Sequence, residues 1–176
     1  MNKKADIWIS AVIYVALGVV ILAVVLAATT PAINKMRDRN TYLQTKEVMH
    51  KIDSTIKDVL REGPGAQRTA SIEIQRGEFS ITTGTDNPTT TPPTIAPKKI
   101  NWVGPSRYIA SQEGSTITEG NIKISTTKQG SQYQITLTLD YTNALAGLTT
   151  DLKTLSGKYN LLIKNEDAGK ISIKSI

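Results

Sequence analysis

Apolar and polar positions divide this chain into three stretches of different character. From Ile7 to Ala28 the run is apolar apart from Ser10 and Gly18, and no charge stands between Asp6 and Lys35. About 22 residues of helix rise roughly 33 Å, enough to cross a hydrocarbon core about 30 Å thick. The second stretch, 34–63, keeps a helical period in another style. Met36, Leu43, Met49, Ile52, Ile56 and the pair Val59 and Leu60 recur at spacings near three, four or seven, with charges between them. One face of this half is therefore expected to be apolar. Pro31, after Thr29 and Thr30, lacks an N–H and crowds the preceding turn, which predicts a kink. Gly63-Pro64-Gly65 should end the helix, glycine as the cap and proline as the stop. Read as one rod over 6–62, the helix has about 57 residues and measures roughly 85 Å, far longer than globular helices usually run.

The third stretch changes period. Residues 71–75 and 78–82 alternate about Arg76-Gly77, as the arms of a hairpin would. A loop or exposed insertion over 83–99, rich in threonine and proline, is expected to be dispensable for folding. Strand patterns return at 106–110 and 121–126. The clearest alternation sets Tyr133, Ile135, Leu137, Leu139 and Tyr141 against Gln134, Thr136, Thr138 and Asp140. Tyr159, Leu161 and Ile163 follow, then Ile171 and Ile173. Leu145, Leu148, Leu152 and Leu155 have helical spacing ahead of Gly157, but the spacing alone does not make a helix there. The fold class is thus α+β: a long N-terminal helix, hydrophobic then amphipathic, followed by an antiparallel β-sheet or β-sandwich with one wet face per sheet.

Composition removes several kinds of chemistry. The 176 residues include no cysteine, so neither disulfides nor thiolate metal sites can form. The net charge of +6 is dispersed, and over 34–63 seven Lys or Arg interleave with five acids. Only Lys98 and Lys99 adjoin after the N-terminus, so a solvated basic surface is expected and no nucleic-acid partner. The single histidine, His50, sits on the amphipathic helix beside Lys46, Glu47, Lys51 and Asp53, and reads as a solvated side chain. Glu73, Glu78, Glu113, Glu119 and Asp140 stand singly, without a partner for acid–base work. Residues 165–169 have the composition of a tight turn and lack the ligand spacing of a calcium loop. Gly157-Lys158 has no glycine five positions earlier, so it is no phosphate loop. No enzyme, cofactor or metal is expected.

The N-terminus carries the one motif with a mechanism. Lys3-Lys4-Ala5-Asp6-Ile7-Trp8 sets a basic residue, a small residue and a polar residue directly before the apolar helix. Together with the long helix and the threonine-rich β region, this resembles the archaeal type IV pilin-like proteins, which include archaellins and adhesion pilins. The resemblance covers the first 65 or so residues well and the remainder in kind. It implies a leader at 1–5, removed by a prepilin peptidase between Ala5 and Asp6, with Lys4, Ala5, Asp6 and Ile7 as the processing site. It further implies a membrane and filament-core helix at 6–33, an amphipathic extension at 34–63 and an extracellular β-rich domain at 64–176. Val12, Val15, Gly18, Val20, Leu22 and Val25 would line the filament core. Ser10 stands where bacterial pilins usually carry a glutamate, which argues against a bacterial-type pilin.

The resemblance implies a structural subunit that polymerises with copies of itself after residing in the membrane, served by the peptidase and an assembly machinery. Adhesion would fall to the exposed domain. If the 83–99 segment is decorated, Thr89, Thr90 and Thr91 are acceptors for O-linked sugars. Two other readings compete. A cleavable secretory signal could end at Val25-Leu26-Ala27, although the apolar run exceeds the usual signal core. Alternatively, a single-pass anchor could carry an extracellular binding module that does not polymerise. Lys3 and Lys4 against Lys35, Arg37 and Arg39 do not set orientation by the positive-inside rule, so the outside placement rests on composition and the resemblance.

Overall fold

The computed structural model describes residues 3–86, 95–152 and 154–176, the side chains of 3–7 and 9 excepted. It holds one long helix and a nine-stranded sheet, the α+β class expected from the sequence. Helix α1 runs over Lys3–Glu62, 60 residues, and stops ahead of Gly63-Pro64-Gly65. It passes through Pro31 unbroken. There the Thr29 and Thr30 hydroxyls donate back to Val25 O at 2.7 Å and Leu26 O at 2.8 Å, tying the turn that the proline weakens.

By its contacts the chain forms two compact units, Met1–Arg37 and Asp38–Ile176. The second unit therefore includes the C-terminal part of α1 as a member of its core. Along this part the buried positions are Asp38, Tyr42, Thr45, Met49, Ile52, Ile56 and Val59, spaced alternately four and three, with Asp53 buried beside Ile52. That is a heptad seam, and it turns one face of the helix steadily toward the sheet. Met36 and Leu43, expected on the apolar face from their hydrophobicity, are exposed, and Asp38, Tyr42 and Thr45 hold the buried places instead. Met49, Ile52, Ile56 and Val59 are buried as expected, and only toward Asp38 was the choice of residues wrong, because polar side chains with partners also occupy a seam.

The strands are β1 (Gln67–Thr82), β2 (Gly84–Thr85), β3 (Lys99–Ser106), β4 (Thr116–Glu119), β5 (Ile122–Gln129), β6 (Gln132–Asp140), β7 (Gly147–Thr150), β8 (Thr154–Asp167) and β9 (Lys170–Ser175). They form a single sheet in the order β2-β7-β9-β8-β1-β3-β6-β5-β4. All neighbours are antiparallel except β7 and β9, which run parallel. Alternation sends Ile100 and Trp102 of β3, Ile122 and Ile124 of β5, and Ile135, Leu137 and Leu139 of β6 into one core with the helix seam. Leu161 and Ile163 of β8 and Ile171 and Ile173 of β9 join the same core.

Two expectations are corrected here. Residues 71–75 and 78–82 are not the arms of a hairpin but parts of the single strand β1. Between Ile74 and Phe79 the strand advances five residues while its partner β8 advances only from Gly157 to Leu155. This bulge shifts the parity, so Ala70, Ile72 and Ile74 point inward before it and Phe79 after it. Gly77, at φ +93°, sits in the bulge under the Trp102 indole, whose Nε1 donates to Arg76 O at 2.9 Å. A turn would have required the same residue types, which is why the sequence suggested one.

The second correction concerns 83–99 and the strand pattern at 106–110. Strand β3 begins already at Lys99, pairing with β1 through Val103 and with β6 over its whole length, and it ends at Ser106. The segment 83–99 is also not loose at its ends. Gly84 and Thr85 pair with β7, and Lys98 is wholly buried. The residues proposed for sugar attachment, Thr89, Thr90 and Thr91, lie outside the described residues. Leu148 lies in β7 and Leu155 in β8, so the helical spacing at 145–155 marks no helix.

Candidate functional site

The longest apolar surface belongs to the first unit. Within α1 an 18-residue window has mean hydropathy 2.9, and none of it is buried. The helix is thus long and apolar enough to cross a membrane. Of the residues expected to line a filament core, Val12 is 63% exposed, Val15 68%, Val20 58%, Leu22 59% and Val25 53%. A side chain placed at Gly18 would meet nothing within 4 Å. Lys4, Ala5, Asp6 and Ile7 lie in the helical backbone near its start, and their side chains are outside the described residues.

The second unit grips the other end of this helix by two buried acids that sequence reading passed over. Asp38 accepts from Arg76 Nη1 at 2.7 Å on one oxygen and from the Arg107 backbone N–H at 2.7 Å on the other. The helix is thereby joined both to the bulge of β1 and to the segment after β3. About one turn on, Tyr42 packs its ring on Tyr108 at 5.7 Å, and about one turn further Lys46 bonds Glu119 of β4 at 2.7 Å.

Asp53 makes the second grip. Its Oδ1 accepts from the Tyr141 hydroxyl at 2.7 Å and from Asn121 Nδ2 at 3.0 Å, and its Oδ2 from Lys57 at 2.7 Å. Burial raises the Tyr141 pKa, and the carboxylate beside it raises it further, so the phenol stays a donor across the physiological range. A buried carboxylate with three donors is satisfied, whereas one stripped of them would cost several kcal/mol. At the helix C-terminus Asn165 Nδ2 donates to Val59 O at 3.3 Å, tying the last turn to β8. The heptad spacing of Asp38 and the seam was the signal that could have marked this helix face, had polar residues been counted in it.

Lys98 is the other buried charge. Its ammonium donates to Asp86 Oδ1 at 2.6 Å, Ala96 O at 3.1 Å and Thr142 O at 3.0 Å, which uses all three of its protons. That pairing lowers the Asp86 pKa, and the Ala96 N–H on the same oxygen adds to it. His50 is exposed. Among the described residues no three His, Asp or Glu side chains gather as a metal ion would need. The largest apolar feature is the bare helix, and the clusters of Asp38 and Asp53 hold the C-terminal part of α1 to the sheet. No protein-family model, curated protein or solved structure matches this chain.

Proposed function

We propose that this chain is the structural subunit of a type IV pilus-like surface filament, stored in the membrane and assembled through its N-terminal helix. The observation that carries the reading is that a single helix has two environments along its length. Its C-terminal part is the core of a folded unit, while the stretch from Val12 to Leu26 leaves its large apolar side chains uncovered. In a bilayer, lipid covers such a surface and the backbone bonds are internal. After extraction, copies of the same helix would have to cover it, and each buried Val, Leu or Ile is then worth about 1.5–3 kcal/mol. Ala11, Ala16, Gly18, Ala23 and Ala27 allow close approach between such helices. The grips of Asp38 and Asp53 support the same reading, because force on the helix reaches the sheet through bonds. On this proposal Asp6 becomes the new N-terminus, the β-rich unit lies outside the cell, and adhesion belongs to its exposed surface.

Val20→Arg tests it. A guanidinium near the middle of the apolar run costs about 2.5–3.5 kcal/mol on insertion scales, which the remaining run absorbs, so membrane levels stay normal. Buried among packed copies with no acid beside it, the same charge costs more and does so in every subunit. The expected result is normal membrane protein, with its N-terminus at Asp6 by intact mass, and no filaments by electron microscopy or shear fractionation. Abundant filaments built from the variant would remove this helix from the filament core. A parent chain that forms no filaments in its host would favour the tethered binding module.

A further inference from the structure

Strand β1 has an open edge in the interior of the sheet. Over its first half it pairs with β8 alone, because β3 joins it only from Glu78 onward. The hydrogen bonds that flank this half show which main-chain groups are left over. Asn165 N donates to Ala66 O at 2.9 Å, so Ala66 bonds toward β8, and with it every second residue: Arg68, Ala70 and Ile72. Ile176 N donates to Asn160 O at 2.9 Å, which turns Asn160, the partner of Ser71, toward β9. Thr69, Ser71 and Glu73 therefore aim their N–H and C=O groups away from β8. Among the described residues the one partner on that side is Lys51, whose ammonium donates to Ser71 O at 2.8 Å.

Between this edge and the helix lies a groove of about 260 Å³, with Glu47, Val48 and Lys51 on the helix wall and Ser71, Glu73 and Gln75 on the strand wall. We propose that the groove takes an extended segment of a partner protein as an added strand, one in which small apolar residues alternate with lysine or arginine. Unused N–H and C=O groups in register are what an added strand needs for its ladder. The alternation follows from the walls. A strand laid beside β1 sends every second side chain to the outer face, opposite Glu73, where a cation pairs with the carboxylate. Lys51 takes one lone pair of Ser71 O and leaves the other for the ladder. The intervening side chains face Val48 on the helix, where small apolar groups fit. Glu73 now meets Lys158 at 3.5 Å, with both side chains half exposed or more, a pairing an incoming cation displaces cheaply. The free edge of β4 at the end of the sheet has only four residues, all exposed, of which Thr118 faces Lys57 and Leu60 of the helix across a second groove.

The test uses the full chain, ¹⁵N-labelled in detergent micelles, and an acetylated and amidated peptide of alternating lysine and valine as the probe. A control peptide carries N-methyl groups on alternate amides, made in both registers, which keeps its charge and removes its ladder. The expected result is saturable binding that slows amide exchange at Ser71 and Glu73 about tenfold or more, with affinity for the control lower by about tenfold. Glu73→Lys should weaken the probe likewise with the spectrum of the core unchanged. Ser71→Pro removes an N–H that bonds no neighbour, so it should keep the fold and lose the probe. Equal binding of probe and control, protection at Thr118 in place of Ser71, or no binding at all would overturn the proposal.

Discussion

The bulge in β1 gives the sharpest test of how this sheet is held. At Gly77 an added methyl would lie 2.6 Å from Trp102 Nε1 and 2.7 Å from Val103 O, and φ is +93°. At Gly157 φ is +103°, and an added methyl meets nothing within 4 Å. Both substitutions to alanine carry the cost of an L-residue at positive φ, about 1–2 kcal/mol. Gly77→Ala alone must also push the indole aside, which adds about 1–3 kcal/mol for overpacking. Losing the Trp102 bond to Arg76 O adds about 0.5–1.5 kcal/mol more. The expected totals are about 4 kcal/mol at Gly77 and about 1–2 kcal/mol at Gly157, against a domain stability of about 5–15 kcal/mol. Urea unfolding of the full chain in detergent, followed by Trp102 fluorescence in a Trp8→Phe background, separates them by midpoint at unchanged slope. Equal losses within about 0.5 kcal/mol would refute the packing argument and leave only a dihedral effect.

Two further outcomes follow from the core and its charges. The fragment 38–176 should fold cooperatively and 64–176 should not, as judged by thermal melts and amide dispersion. The shorter piece lacks Met49, Ile52, Ile56 and Val59, each wholly buried, and four such side chains at about 1.5–3 kcal/mol each equal the whole stability of a domain. Asp140 has its pKa lowered to about 2, chiefly by the Thr142 hydroxyl and then by the Thr142 N–H, Lys123 and Lys99. A depressed carboxylate stabilises the fold above its unfolded pKa of about 3.9 and loses that contribution as pH falls through the folded value. Asp140→Asn should therefore cost about 1 kcal/mol at pH 6, after allowance for solvent screening, and flatten the loss of stability between about pH 4 and 2.

The parts of the fold that were legible in the sequence are those in which one residue type did one job. Tyr133 to Tyr141 alternated because β6 has one wet face, and the helix ended where glycine and proline end helices. The illegible parts used a residue against its usual habit. Gly77 and its polar neighbours look like a turn, and only the buried Trp102, distant in sequence, makes them a bulge. Strand β3 was hidden by Lys98-Lys99 at its start and Gly104-Pro105 within it. Pairing with β1 has ended by Val103, so Pro105 meets no donor requirement from that neighbour. Asp38 and Thr45 were passed over because a charge or hydroxyl on a helix usually faces water. The bare apolar helix was fully legible, since membrane length and charge exclusion are properties of composition, whereas the open edge of β1 depends on strand neighbours that no local pattern encodes.

The buried ammonium of Lys98 has a consequence for the length of chain it brackets. It closes a ring with Asp86, so both ends of the intervening stretch are fixed by bonds that involve none of the residues between Asp86 and Ala96. The entropy of closing such a ring grows only with the logarithm of its length, and a doubling costs about 0.6 kcal/mol. A change of length between these anchors therefore costs little in closure entropy. The two positions at which a single substitution would open this ring are Lys98 and Asp86.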